Sequence, residues 1–265
     1  MSGRRLQLAH FPKWLRFVFA GFNALFVLYL FALVCIQLAT LPTNEECNLV
    51  FTKEIWHGCS VPVPFCQNPF VARCDCASLE IVNGHNMSKL PTSFVNMISL
   101  RRVWINRGPL ESLPTGMEAL TRMADIDFDF NKLSEFNVDV SGWEEFVQLS
   151  VGYNNLNKIH PTLWKHATLN ILYLNDNVGL RFPDSQLYLP SLRALLATNN
   201  SVPLPARFGP KQFPLLEQLY LSGNHIPVFP TNFQGLKDSL GMLGIARCNI
   251  TSTPKWLSNF DLCES

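Results

Sequence analysis

From Leu79 onward the chain keeps returning to one short alternation: an apolar residue, one residue of any kind, then a second apolar residue. The pairs are Leu79 and Ile81, Val103 and Ile105, Ile126 and Phe128, Leu149 and Val151, Leu172 and Leu174, Leu195 and Ala197, Leu219 and Leu221, and Leu243 and Ile245, at steps of 23 or 24 residues. Apolar residues at a period of two predict short strands with one face toward a core. Five residues after the first member of each pair from Val103 onward stands Gly108, Asn131, Asn154, Asn177, Asn200, Asn224 or Cys248. A polar column at a fixed step from a buried strand predicts a buried amide that bonds the backbone of neighbouring units, since Asn both donates and accepts. Cys248 is small and a weak donor, so it suits the same place. Gly108 has no side chain to bond, and a weaker link is expected there.

The other half of each unit carries Leu90-Pro91, Leu113-Pro114, Phe182-Pro183, Leu204-Pro205, Phe229-Pro230 and Thr253-Pro254. Proline fits the end of an extended segment or the first turn of a short helix, where its missing N–H costs nothing. Phe94, Met97 and Leu100, and again Trp143 and Phe146, recur at helical spacing. They predict short return helices packed on the far side of the core. Residues 253–265, with Thr253 as N-cap and Trp256, Leu257, Phe260 and Cys263 on one helical face, predict a terminal capping helix.

Ahead of the repeats, Phe17 to Leu38 runs 22 residues without a charge. At 1.5 Å per residue that matches a hydrocarbon core of about 30 Å. Arg4, Arg5, Lys13 and Arg16 precede the run and Glu45 and Glu46 follow it, which predicts a cytoplasmic N-terminus and an outer location for everything after about residue 41. The expected organisation is a cytoplasmic tail over 1–16 and a transmembrane signal anchor over 17–41. A cleaved signal peptide is the competing reading, against which stand the length of the run and poor small-residue cleavage sites at Gln37 and Ala39 or Leu38 and Thr40. Residues 42–78 lack periodicity and hold Cys47, Cys59, Cys66, Cys74 and Cys76, five of the eight cysteines. That density predicts a local disulfide framework in an oxidising compartment. Zinc is the alternative, but there is no CxxC pair and only His57 lies nearby. Five is odd, so one thiol, Cys47 nearest the membrane by choice, is left free or pairs with a distant cysteine or a second chain.

Residues 79–257 resemble the 23 to 24 residue class of leucine-rich repeats. Cys74 and Cys76, set just before the first repeat, resemble the cysteine-rich N-terminal caps of extracellular leucine-rich repeat proteins, and the whole chain resembles a membrane-anchored protein of that kind. The resemblance implies an α/β fold, a right-handed leucine-rich repeat solenoid with a curved parallel sheet on its concave side, preceded by a single transmembrane helix. The cap would cover residues 42–78, the repeats 79–252 and the C-terminal cap 253–265. It also implies a concave face that binds a protein or other macromolecule. Only about 16 residues lie on the inner side in this arrangement, so signal output would need a co-receptor, or a chain longer than this one.

The residue between each apolar pair faces outward, giving Trp104, Asp127, Ser150, Tyr173, Leu196, Tyr220 and Gly244. Beside them lie Arg101, Arg102 and Arg107, then Asp125 and Asp129, with Phe130 and Tyr153 following. Aromatic residues beside charges of both signs suit an interface. The candidate ligand-binding residues are Trp104, Asp125, Asp127, Asp129, Tyr153, Tyr173 and Tyr220. The bland account, that aromatics simply fill strands well, stands beside this one. The three aspartates suggest an acid pair or a calcium site, but a solvated acidic strip is the better expectation, because a hard cation needs six or more converging oxygens. No metal or cofactor is expected.

Asn86, Asn199 and Asn249 are in glycosylation sequons. A glycan on Asn199 would restrict a ligand to the side of Tyr173 and Trp104. The six histidines are scattered, and no nucleophile elbow, HExxH or phosphate loop occurs, so no enzyme is expected. The chain is 48% hydrophobic and 15% charged, with a net charge of +1 and a pI near 7.6, which argues against nucleic acid as a partner. Two functions fit. The first is a non-enzymatic recognition module at the plasma membrane or a secretory-pathway membrane, binding an extracellular protein or glycan, or a secreted binder if the N-terminus is cleaved. The second is a self-associating structural or assembly protein, a homodimer linked through its odd cysteine.

Overall fold

In the computed structural model, residues 55–57, 77–81, 86–201, 203–252 and 254–259 are described, the first three for their backbone only. All belong to one compact unit, Asn44–Ser265. The expected tail and anchor over 1–41, the cysteines Cys47, Cys59, Cys66, Cys74 and Cys76, and Thr253, Phe260 and Cys263 lie outside the described residues. Among those residues no helix is long and apolar enough to cross a membrane.

The alternating pairs form the sheet. Strands β2 (Ser78–Ile81), β3 (Arg102–Ile105), β4 (Asp125–Asp127), β6 (Gln148–Ser150), β8 (Ile171–Tyr173), β9 (Ala194–Leu196), β10 (Gln218–Tyr220) and β11 (Met242–Gly244) lie side by side and parallel. Leu79, Val103, Ile126, Leu149, Leu172, Leu195, Leu219 and Leu243 stand directly opposite one another from strand to strand. The 23 to 24 residue step is therefore the length of one coil. β1 (Ile55–His57), from the expected cap, pairs antiparallel with β2 and covers what would otherwise be an open edge. On the return side, β5 (Glu135–Phe136) pairs in parallel with β7 (Lys158–Ile159), and Lys89 bridges Ser112 at the matching step two coils earlier.

The returns differ from expectation. The described residues contain no α-helix; the coils turn through 3₁₀ segments at Thr92–Asn96, Met117–Ala119, Leu163–Lys165, Thr231–Asp238 and Lys255–Asn259. The reason is visible in the apolar spacing, which is three and not three to four. Phe94, Met97 and Leu100 are linked by Met97 N–H to Phe94 O (3.2 Å) and Leu100 N–H to Met97 O (2.9 Å). Met117, Leu120 and Met123 repeat the device, as do Val140, Trp143 and Phe146. A period of three puts side chains on one face of a 3₁₀ turn, and all nine of these residues are buried. The same step carries each coil into its strand, from Leu100 to Val103, Phe146 to Leu149 and Leu169 to Leu172. Pro91 and Pro230 directly precede 3₁₀ segments, as their fixed φ suits.

The core is continuous from Leu79 to Leu257. On its return side an aromatic file runs through Trp164, Phe182, Phe208, Phe233, Phe229 and Trp256, with ring centroids 4.8–5.9 Å apart. Trp256 packs against Phe229 and Phe233, and the buried Leu257 belongs to the same core.

The Asn column does what its spacing predicts. Asn154 Nδ2 donates to Phe128 O of the preceding coil (2.9 Å) and to Val151 O (3.1 Å) and Gly152 O (2.9 Å) of its own, while its Oδ1 accepts Leu133 N–H (2.9 Å). Asn131, Asn177 and Asn224 make the corresponding bonds. Cys248 Sγ donates to Leu221 O at 3.1 Å. At Gly108 only the backbone N–H reaches the neighbouring coil, to Phe130 O (3.0 Å). Asn154→Ala strands a backbone N–H and several carbonyls in the core, and is expected to cost about 2–4 kcal/mol in chemical denaturation. Cys248→Ala removes one weak donor and is expected to cost about 1 kcal/mol.

Candidate functional site

The strands leave one face of the sheet to solvent, and on it the side chains run in rows across the coils. One row is Glu80, Trp104, Asp127, Ser150, Tyr173, Leu196, Tyr220 and Gly244; another is Arg102, Asp125, Gln148, Ile171, Ala194, Gln218 and Met242. The candidates on β3 and β4 touch. The Arg102 guanidinium lies 5.0 Å over the Trp104 ring, and its Nε is 3.3 Å from Asp125 Oδ2. Burial raises the Asp125 pKa above the ordinary carboxylate value, opposed by the neighbouring Trp104 indole and by Arg102. The indole N–H faces that carboxyl without reaching full hydrogen-bond geometry. Asp127 accepts from Asn106 Nδ2 (2.9 Å) and from Asp129 N–H (3.0 Å).

Tyr220 stands apart, four strand steps from Asp127, or about 19 Å at the usual spacing. Its hydroxyl donates to Met242 Sδ (3.2 Å), and its ring lies over Gly244, where a Cβ would come within 2.9 Å of it. Tyr173 is half-buried between these groups. Ser150 and Gly244, expected to face outward, are both buried: Ser150 turns its hydroxyl to Asp129, and Tyr220 covers Gly244.

A second array runs along the rim, where each strand turns toward the returns. Arg107, Phe130, Tyr153, Asp176, Asn199, Gly223 and Arg247 occupy successive coils, each one residue before the Asn column, and all have φ between 52° and 75°. From Arg107 to Gly223 each N–H donates to a carbonyl of the next coil at 2.7–3.1 Å. Left-handed backbone is costly for residues other than Gly, and none of the seven is β-branched, the class that tolerates it least. Phe130 and Tyr153 stack with ring centroids 4.2 Å apart and planes 7° from parallel, and the Arg107 guanidinium sits 4.8 Å over Phe130. Both rings are substantially exposed, at 41% and 45%. Tyr153 is thus one of three members of a flat stack. Arg107 and Phe130 belong beside it, and their shared column, one residue before Asn, was the signal in the chain that marks them.

Asp129 is engaged differently. Its Oδ1 accepts both Ser150 Oγ (2.8 Å) and Gly152 N–H (2.6 Å) from the next coil. Asn175 Oδ1 does the same for Thr198 N–H (2.9 Å), and Ser222 Oγ for Ala246 N–H (3.1 Å), in later coils. Neutral side chains serve at the equivalent positions, so the acceptor matters there and the charge does not. Burial, then the Asp127 charge, push the Asp129 pKa up to about 6 against the two hydrogen bonds. Among the described residues no three His, Cys, Asp or Glu side chains are placed to hold a metal ion.

Since Asp129 has a pKa higher in the folded chain than in the unfolded one, the folded state holds its proton more tightly between about pH 4 and pH 6. Its contribution to stability is full below pH 4 and falls away as pH rises through 6, by up to about 2–3 kcal/mol. Asp129→Asn keeps Oδ1 for both donors and removes the charge. Thermal melts should show a higher Tm at pH 7.5 and a flatter profile between pH 4 and 7; a lower Tm at pH 7.5 would show that the charge strengthens the bridge.

No known protein family's sequence profile matches the chain. Solved structures do. A leucine-rich repeat protein of Leptospira interrogans superposes with a TM-score of 0.62 over 77% of this chain at 20% identity, and the match covers 51% of that protein, so this chain spans about half its length. The ectodomain of an Arabidopsis thaliana membrane receptor kinase, solved with Casparian strip integrity factor 2, matches 76% of this chain and 30% of its own at 17% identity, with a TM-score of 0.42. Human trophoblast glycoprotein, a Wnt-activated inhibitory factor, matches 74% of this chain and 82% of its own at 18% identity and a TM-score of 0.43. The parallel ladder, the Asn column and the superposition on the bacterial protein together make the fold a leucine-rich repeat solenoid.

Proposed function

We propose that the chain is a recognition module without enzymatic activity, held in a membrane by residues 17–41 and presenting the sheet and its rim to an extracellular protein. The observation that carries this is the Arg107, Phe130 and Tyr153 stack. Two exposed aromatic rings and a guanidinium are held in a strained backbone by the hydrogen bonds of the fold itself. A rigid, solvent-facing aromatic pair loses little entropy on contact and supplies the large flat area that binding hot spots use. Trp104, with Arg102 over its ring and Asp125 alongside, adds charges of both signs one strand away.

The remaining expectations form one picture with this reading. Cys47, Cys59, Cys66, Cys74 and Cys76 would form the disulfides of the cap, and Asn86, Asn199 and Asn249, all exposed, would carry glycans. Asn199 lies in the same rim column as Tyr153, two coils along, with its Nδ2 donating to Asp176 Oδ1 at 3.1 Å. A glycan there would replace that bond and bound the contact surface on the side away from Phe130.

Phe130→Ala with Tyr153→Ala is expected to weaken partner binding by about 1–4 kcal/mol, ten-fold or more, while leaving the melting profile near that of the parent chain. Proximity labelling on intact cells reads this: partners labelled by the parent chain should be lost with the double variant, and an unchanged set would count against the sheet rim as the contact. Glycosidase digestion tests the location. Asn86→Gln, Asn199→Gln and Asn249→Gln should each remove one step of the mobility shift, and a chain insensitive to the enzyme would argue against an extracellular or lumenal face.

A further inference from the structure

Several ion pairs on this solenoid run sideways from coil to coil at one station, while Arg101 with Glu145 spans 44 residues. Arg102 meets Asp125 (3.3 Å), Lys158 meets Glu135 (3.9 Å) and Arg193 meets Glu217, each joining residues 23 or 24 apart and so at the same station of adjacent coils. One place on the return side breaks this habit. Arg207 and Lys211 from one coil and Lys237 from the next line a common groove of about 670 Å³. Among the described residues no carboxylate lines it, and none of the three cations has an ion pair. Asp184, one coil back from Arg207, lines a separate groove with Arg181 and Lys158. Asp238 follows Lys237 in the chain but is not part of the lining. In a protein of net charge +1, three uncompensated cations in one groove are a local concentration of charge.

The groove is formed by a close approach of backbone. A Cβ on Gly209 would fall 2.8 Å from Asn232 O, and one on Gly235 would fall 2.7 Å from Pro210 Cγ, so the two coils meet as they do because both positions lack a side chain. Backbone bonds hold Gln212 in place on both sides, its N–H to Gly209 O (3.0 Å) and its O accepting Leu189 N–H (2.9 Å). The 3₁₀ segment Thr231–Asp238 sets the opposite wall.

We propose that this groove binds an anionic polysaccharide, with Arg207, Lys211 and Lys237 on its sulfate or carboxylate groups. The rest of the lining chooses among polyanions. Gln212, Thr231, Asn232 and Gln234 offer amides and a hydroxyl, which suit the hydroxyls of a sugar chain. Among the described lining residues the larger apolar contribution is the Pro210 ring, and they form no pocket for the apolar anchors by which acidic peptides are held. Among the described lining residues there is no aromatic face on which bases would stack, as single-stranded nucleic acid requires. The site is on the return side and the aromatic stack is on the sheet rim, so the two operate independently.

The test uses the full chain in a nonionic detergent, with heparin and polygalacturonate as the probes and neutral dextran and duplex DNA as controls. The parent chain should bind one or both acidic polysaccharides, which separates sulfate from carboxylate recognition, and should not bind dextran. Arg207→Glu, Lys211→Glu and Lys237→Glu together should weaken binding at least ten-fold and reduce the slope of log affinity against log salt by about 2–3. A charge-matched variant elsewhere, with Arg122→Glu, Lys132→Glu and Lys165→Glu at exposed positions, should bind as the parent does. Phe130→Ala with Tyr153→Ala should also leave polysaccharide binding intact, which separates failure of this site from failure of the sheet-rim contact. Equal loss in the charge-matched variant, no loss in the groove variant, or duplex DNA binding as tight as heparin would each overturn the proposal.

Discussion

The structure depends on one kind of bond, a buried Asn amide that ties a coil to the one before it. A single coil of 23 or 24 residues has too little apolar surface to hold itself together, so its order comes from its neighbours. Apolar packing brings the coils together but is indifferent to small slips along the strand. The amide is not: its two hydrogens and its oxygen must all find partners or remain costly. Asn131, Asn154, Asn177 and Asn224 each bond the strand of the preceding coil as well as their own turn, fixing register and separation at once. Asn200 is the loosest rung. Its Oδ1 accepts Asn177 N–H at 2.6 Å, but its buried Nδ2 has no partner.

The amide also explains the rim. Turning an Asn inward directly after an extended strand requires a corner, and the residue before each Asn makes that corner in left-handed backbone. The bonds on either side of the corner hold it there, with the amide behind and the N–H to the next coil in front. A side chain at such a corner projects outward with little freedom. That is how Phe130 and Tyr153 come to stack at 4.2 Å, close to the spacing of the coils themselves.

The strands, their register and the Asn column were legible because each rests on a repeated side-chain requirement, apolar at one step and amide at another. The turns were less so. Phe94, Met97 and Leu100 announce a buried helical face, but a spacing of three is also part of a three-to-four pattern, and only the i to i−3 bonds separate a 3₁₀ turn from an α-helix. The rim was hidden for another reason. Arg, Phe, Tyr, Asp, Asn and Gly share no chemistry, so a column defined by backbone conformation leaves no pattern of hydrophobicity behind it. Asp129 is disguised by its company. Beside Asp125 and Asp127 it looks like part of an acidic surface, whereas its counterparts Asn175 and Ser222, 46 and 93 residues later, mark it as an acceptor for the next coil.

The left-handed corners also limit how such a surface can change over time. At Asp176 the backbone already has the conformation that Phe130 and Tyr153 adopt, so an aromatic substitution there would extend the row of rings without new strain in the main chain. At Gly223 a Cβ would lie 2.0 Å from Asn199 Oδ1, the end of an exposed side chain, so a ring there would require Asn199 to swing aside. The rim is therefore a strip of left-handed corners, from Arg107 to Arg247, whose side chains can vary among those that such backbone admits. A lineage could rewrite what the strip contacts without disturbing the coils that carry it.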